Sequence, residues 1–246
     1  MTDPDRTVLR VSGADAADFL QNLVTNDVER LDAGLVYAAL LTPQGKYRAD
    51  FFLVPDGHDI LIDVAEPLAA DLKKALTLYK LRAKVSIEET GIVPARGLGT
   101  APPGAFADPR DARLGWRAYD GRPSEEGVDW PAMRVAALVP ESGIELTSDT
   151  FILEAGFERL GGVDFRKGCY VGQEVTARMK HKTELKKGLA RVDVEGAAPV
   201  GTAVEADGKS VGTLYTQAEG TGIAHLRYAQ ARPEMRAGEA IVRYEA

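Results

Sequence analysis

The spacing of apolar residues divides the chain into two textures. Up to about Lys182, short apolar runs alternate with stretches of helical period, and from Leu185 onward only short runs separated by glycine and proline remain. Thr7 to Val11 reads as a strand. Ala16, Phe19, Leu20, Leu23 and Val24 then recur at i, i+3, i+4, i+7 and i+8, one apolar helical face. Ahead of that face Ser12-Gly13-Ala14-Asp15 has capping-box spacing, with aspartate in place of the usual glutamate or glutamine. Thr42-Pro43-Gln44-Gly45 has hairpin chemistry and joins two apolar, aromatic-rich runs, Leu35 to Leu41 and Lys46 to Val54. His58 to Val64 gives another strand. Glu66-Pro67 opens a helix with Leu68, Leu72, Ala75, Leu76 and Tyr79 on its buried face, and Lys84 to Glu88 follows as a strand. This succession predicts an α+β layer with helices on one face of a sheet.

A second strand set is expected at Ile92 to Leu98 and Gly115 to Tyr119, around the loop composition Thr100-Ala101-Pro102-Pro103-Gly104. Pro131 opens a helix lined by Ala132, Val135, Ala136 and Val139, and Phe151 to Leu160 is a further helix candidate ended by Gly161-Gly162. Gly188 to Val194, Lys209 to Tyr215 and Gly222 to Tyr228 read as strands of an appended small barrel or sandwich. The two α+β stretches read as distant copies of one plan. The expected division is a first α+β unit over 1–90, a second over 91–183 and a terminal β unit over 184–246.

Composition narrows the classes. With 246 residues and 45% hydrophobic content the chain can bury a core without covalent staples. Its single cysteine, Cys169, permits no internal disulfide and cannot hold an iron–sulfur cluster alone, which suits a reducing compartment. A formal charge of −7 argues against a general DNA or anionic-membrane binder. Met1 to Thr7 is polar and acidic, with neither a leader pattern nor any apolar run of membrane-spanning length nearby. These features predict a cytoplasmic protein without direct DNA or membrane contact.

The candidate chemistry centres on Lys167-Gly168-Cys169-Tyr170-Val171-Gly172-Gln173-Glu174. Thiolate is the reactive form of cysteine, and a nearby cation or helix N-terminus favours it; Lys167 and the amides around Gly172 could supply both. The alternative is a buried thiol acting as a small hydrophobe. His58, His181 and His225 are dispersed, so neither a Cys–His pair nor a metal-ligand spacing is visible. Arg178, Lys180, His181, Lys182, Lys186 and Lys187 form a basic run that suits either a polyanionic ligand tail or a solvated helix face. Asp50 stands in the apolar stretch Ala49-Asp50-Phe51-Phe52. Burial of a lone carboxylate is unfavourable, so spacing favours a surface position over a buried acid that recognises an amine or amide.

The eight residues from Lys167 to Glu174 resemble the signature of the folate-binding iron–sulfur cluster assembly proteins, relatives of the glycine-cleavage T-protein, an aminomethyltransferase. Leu23-Val24-Thr25-Asn26-Asp27, Pro43-Gln44-Gly45-Lys46, Leu81-Arg82-Ala83-Lys84-Val85 and Leu153-Glu154-Ala155-Gly156 support the likeness, as do the glycine-spaced terminal strands. The resemblance implies two related α+β units in a ring-like folate-binding core plus a small C-terminal β-barrel. It also implies tetrahydrofolate or a derivative as cofactor, and maturation or repair of 4Fe–4S clusters in client enzymes, with a link to tRNA thiomodification.

On that resemblance Cys169 is the functional thiolate, able to provide one transient iron ligand. Asn26, Asp27, Lys46, Asp50, Lys167, Gly168, Tyr170, Gly172, Gln173, Glu174 and Arg178 are the expected folate contacts. The implied partners are folate and iron–sulfur client or assembly proteins. Gly45-Lys46-Tyr47-Arg48-Ala49-Asp50 retains one of the two aspartates that the T-protein carries there, which weakens an aminomethyl-transfer reading. Two rivals remain: a folate-dependent one-carbon transferase in which Asp50 is catalytic and steers the reacting amine, and an interaction scaffold in which Cys169 is structural.

Overall fold

The computed structural model describes residues 6–182 and 185–245. Most of the polar start, the Lys182 side chain and residues 183–184 of the basic stretch lie outside what is described. Two compact units emerge, each built from two segments: Met1–Val128 with Phe157–Ala177, and Asp129–Gly156 with Arg178–Ala246. They do not follow the sequential boundaries at 90 and 183.

In the first unit β1 (Arg6–Ser12), β2 (Val36–Leu41), β3 (Tyr47–Asp56), β4 (Asp59–Ala65) and β5 (Ser86–Glu89) form an antiparallel sheet of order β2-β3-β4-β1-β5. Helices α1 (Ala16–Gln21) and α2 (Glu66–Lys80) supply its apolar cover. Phe19, Leu20, Leu72 and Leu76 share one core with Leu9, Val11, Ala38, Phe51, Leu53 and Ile62, the residues of one strand face. All six residues of β2 are buried, so its sequence reads as a continuous apolar run rather than an alternation. Helix α1 stops three residues before the expected Val24, because the Thr25 amide leaves the helix to donate to Ala39 O at 3.0 Å. The expected capping box does not form. Asp15 instead accepts from the Lys84 amide at 2.7 Å, tying the helix start to the segment that leads into β5.

The opposite face of this sheet carries a row of larger groups. Tyr37 lies across from Phe52, Phe52 from Asp63, and Ala39 from Asp50. A small sheet of β6 (Ala95–Gly97), β7 (Phe106–Ala107) and β8 (Trp116–Ala118) supplies part of their cover. Arg117, from β8, sits 4.6 Å above the Phe52 ring and donates to Asp63 at 2.9 Å; Arg6 and the Tyr119 hydroxyl donate to the same carboxylate, each at 2.7 Å. Arg110 lies 4.6 Å from the Phe52 centroid and 5.4 Å from that of Tyr37, held by Asp108 at 2.7 Å. Each buried cation thus has a carboxylate and an aromatic face, the combination that offsets its desolvation.

In the second unit Pro131 begins α3 (Trp130–Ala137), capped by Asp129, which accepts from the Ala132 amide at 3.0 Å. Buried Arg134 on this helix donates to Val139 O, Glu145 and the Thr216 hydroxyl. The stretch 151–160 forms successive turns rather than the expected helix, since Gly156 takes a left-handed φ of 81° that a right-handed helix cannot continue through. Strands β9 (Lys187–Glu195), β10 (Thr202–Ala206), β11 (Lys209–Ala218), β12 (Thr221–Arg227), β13 (Glu234–Ala237) and β14 (Ala240–Arg243) close a barrel of order β10-β11-β12-β9-β14-β13. Alternate residues point inward: Ala190, Val192 and Val194 of β9 meet Val204, Leu214, Leu226 and Val242.

The charged row makes acid stability testable. Burial pushes the Asp63 and Asp108 carboxyls up, but Arg6 and Arg117 on the first, and Arg110 on the second, outweigh it and hold both below the usual range. Their stabilisation is complete above the unfolded-state value near pH 4 and is lost as pH falls from there through the lowered folded values. Replacing Asp63 by Ala strands two buried guanidiniums and is expected to cost about 3–5 kcal/mol in urea unfolding at pH 7. It should also flatten the loss of stability below pH 4.

Candidate functional site

The cysteine loop is built on Thr25-Asn26 and Asp164. The Asp164 amide donates to Thr25 O at 3.0 Å, the Thr25 hydroxyl to Gly162 O at 2.7 Å, and the Asn26 amide nitrogen to Gly161 O at 2.6 Å and Tyr37 O at 2.7 Å. Asp164 accepts from the amides of Arg166 (2.6 Å) and Lys167 (3.1 Å) and pairs with Arg30. From that turn the Lys167 ammonium reaches back to Gln21 O, Val24 O and Asn26 O at 2.7, 2.6 and 2.9 Å. These are carbonyls at and just beyond the end of α1, where helical partners run out. Burial lowers the Lys167 pKa to about 8, against the raising pull of Asp27 and Asp164. The role the geometry shows for Lys167 is mechanical: its three donors hold the loop's base.

Beyond this anchor Gly168 and Cys169 are exposed, whereas Tyr170 turns inward, its ring 5.5 Å from the Lys167 ammonium. The buried-thiol alternative therefore does not hold. The Tyr170 hydroxyl is buried beside Thr176 and has no hydrogen-bond partner of normal geometry among the described residues. Gly172, at φ 81°, opens the way into α4 (Gln173–Lys182). A Cβ there would stand 2.7 Å from Thr42 O and 3.0 Å from Gly45 Cα, so the β2–β3 hairpin turn backs directly onto the loop. Gln173 donates to Gly168 O at 3.3 Å; Glu174 and Arg178 are exposed. A shallow groove of 450 Å³ runs along Pro43, Tyr79, Tyr170, Val171, Gly172, Gln173 and Glu174.

The second cluster surrounds Asp50, which spacing assigned to the surface. It is 4% exposed, and the Tyr37 and Tyr47 hydroxyls donate to its two oxygens at 2.9 and 2.6 Å. These two donors supply the compensation that makes burial tolerable. Tyr37 stacks on Phe157 with centroids 5.1 Å apart; its pKa is raised well above normal, first by burial and then by Asp50. Asn26 and Asp27 serve the backbone: the Asn26 side-chain Oδ1 accepts from the Asp27 amide at 2.9 Å, and Asp27 caps the 3-10 turn Val28–Ala33 through the Glu29 amide. Lys46 is half-buried, and its backbone closes the hairpin with Thr42. Sequence reasoning missed Tyr37, Tyr47 and Asp164. The tyrosines were visible only as strand aromatics, while Asp164-Phe165-Arg166-Lys167 does carry the Asx-turn spacing that could have been read.

The architecture is similar to that of the glycine cleavage system aminomethyltransferase T from Bartonella henselae, with a TM-score of 0.75 over 97% of this chain and 82% of that one at 13% identity. The chain therefore has the T-protein-like mixed α/β fold. Residues 186–245, the barrel, match the family described as the CAF17 C-terminal beta-barrel domain. The mitochondrial iron-sulfur cluster assembly factor IBA57 of Mus musculus is 31% identical over 90% of this chain and 75% of its own length. The Homo sapiens factor is 30% identical with the same coverages, and the Mycosarcoma maydis homologue 29% over 93% and 73%. The chain belongs to the IBA57 family of iron–sulfur cluster assembly factors. These relatives are named mitochondrial, which overturns the cytoplasmic expectation and points to the mitochondrion instead. Among the described residues no helix is long and apolar enough to cross a membrane.

Lys167→Met would leave three carbonyls without their donor and is expected to lower stability by roughly 3 kcal/mol or more in urea unfolding. Lys167→Arg should not rescue it, because a planar guanidinium fork does not reproduce three donors diverging from one nitrogen. Amide exchange around Cys169 is expected to rise in both variants.

Proposed function

We propose that this chain binds tetrahydrofolate or a derivative and serves the maturation or repair of 4Fe–4S clusters in client enzymes, with tRNA-thiomodifying enzymes among them. The carrying observation is the exposed Cys169 at the tip of a loop whose base is fastened by the Lys167 ammonium. One thiolate completes at most one ligand position of a cluster, so the remaining ligands come from a partner, and the cluster is cargo rather than a resident group. A rigid base suits that role, because it presents the sulfur without an ordering penalty at each encounter.

Folate is supported by the family resemblance of the Lys167–Glu174 segment and by the chemistry around Asp50. A pterin is flat and carries an amino-pyrimidinone edge, which asks for aromatic faces and a carboxylate. Asp50 with Tyr37, Phe52 and Phe157 has that composition, and the unpartnered Tyr170 hydroxyl is a further polar group suited to such a ligand. When bound, the reduced pterin supplies a one-carbon carrier. Asp50 would take its polar edge, and Tyr37, Phe52 and Phe157 are the rings that would lie beside it. Arg178 and its basic neighbours suit an anionic folate tail.

Titration of tetrahydrofolate into the purified protein, paired with a client 4Fe–4S enzyme assay in cells lacking it, tests this reading. Wild type and Cys169→Ser should bind folate alike, and Asp50→Asn about tenfold more weakly. Client activity should fail in Cys169→Ser cells. Absence of folate binding by wild type removes the folate half; normal client activity in Cys169→Ser cells removes the thiolate half.

A further inference from the structure

The end of α2 presents a surface that neither the cluster nor the folate reading uses. Leu78 is 68% exposed and Leu81 90%, the two most exposed large apolar side chains among the described residues. Leu81 also holds a φ of 45°, in the left-handed region that a leucine avoids. Such a conformation raises the energy of the fold by about 1–3 kcal/mol and persists where surroundings or function require it. The segment from Lys73 to Lys84 contains Lys73, Lys74, Lys80, Arg82 and Lys84 and no acidic residue, within a chain of net charge −7. Tyr79, between the leucines, lines the groove that continues along Tyr170, Val171 and Glu174.

We propose that this end of α2 is a docking surface for a protein partner that presents an acidic surface with an apolar side chain at its centre. Leu78 and Leu81 are the apolar anchors, and Lys74, Lys80, Arg82 and Lys84 select the partner's charge. Apolar anchors within a polar rim are how small interfaces concentrate their affinity. Two other occupants fit less well. A second copy meeting this one about a two-fold axis would bring the same cations face to face. A lipid surface asks for a long apolar helix face, yet Leu72, Ala75 and Leu76 are turned into the core, leaving a ridge of only about one turn. The inference stands on the α2 surface alone and does not require folate binding.

Fluorescence anisotropy tests it with a labelled helical peptide rich in glutamate and bearing two leucines at i and i+4, against the same peptide with serines in their place. The wild-type protein should bind the leucine peptide at least about tenfold more tightly than the serine peptide, and raised salt should weaken it. Leu78→Gln and Leu81→Gly should each lose about tenfold, and the double change Lys74→Glu with Arg82→Glu should abolish binding. Leu81→Gly relieves the positive φ, so its Tm should hold or rise while docking is lost, which separates lost docking from unfolding. Equal binding of the two peptides, full binding by Leu81→Gly, preferential binding to phosphatidylglycerol vesicles, or Leu81-dependent dimerisation in sedimentation each overturns the proposal.

Discussion

The contact on which the first unit's functional surface depends is the Lys167 ammonium held by three carbonyls at the end of α1. It joins residues more than 140 positions apart in the chain, so it converts the end of a helix into the footing of a loop. Charge-assisted donors to backbone oxygens are stronger than neutral ones, and a partly buried ammonium without all three would be unfavourable. An ammonium engaged by three oxygens is a fixed strut, and the thiol two residues on is exposed. Asp164 performs the complementary task for the loop's amides, and Gly172 lets the chain pass within contact of the hairpin turn.

The sheet shows a parallel division between its faces. The face toward α1 and α2 is apolar and would suit any sheet–helix layer. The other face carries Asp50, Asp63, Tyr37 and Phe52 in adjacent rows, with three arginines over the rings. Buried ion pairs are a poor route to stability compared with apolar packing of the same volume. Their presence here, fully paired, is better understood as fixing where each ring and carboxylate stands. Two tyrosine hydroxyls donate to Asp50, whereas two guanidiniums and one tyrosine hydroxyl donate to Asp63, so the two carboxylates sit in different electrostatic surroundings on one surface.

Much of this was legible because local rules and tertiary packing agree there. The β2–β3 hairpin, α2 with Pro67, α3 with Pro131 and the alternation of β9 follow directly from residue type and period. The failures have distinct causes. The 151–160 segment has helical periodicity, but Gly156 takes a left-handed turn that periodicity does not register. Three barrel strands, β10, β13 and β14, are only four or five residues long and escaped notice for want of pattern. Spacing places Asp50 on the surface because a lone buried carboxylate is costly; its two compensating hydroxyls come from Tyr37 on β2 and from Tyr47 on its own strand, beyond the bulge between Tyr47 and Ala49, information that pairing register holds and spacing does not. The compartment was misread for a different reason, since a polar N-terminus constrains processing only weakly.

Exposure is where this chain departs most from what folding alone would select. Folding favours burying thiols and leucines, and disfavours leucine at positive φ. Yet Cys169 is exposed on a tightly anchored loop, and Leu78 and Leu81 are exposed at the end of a helix whose other face is fully packed. Tyr79 and Tyr170 line one groove, so the helix end and the cysteine loop border a common surface. Rigid anchoring beneath exposed reactive and apolar groups lowers the ordering penalty of association, whereas the same groups on a mobile segment would have to be ordered at each encounter. The backbone strain at Leu81 is thus confined to one edge of a unit whose core is otherwise continuous, where the packing of the sheet against α1 and α2 is untouched by it.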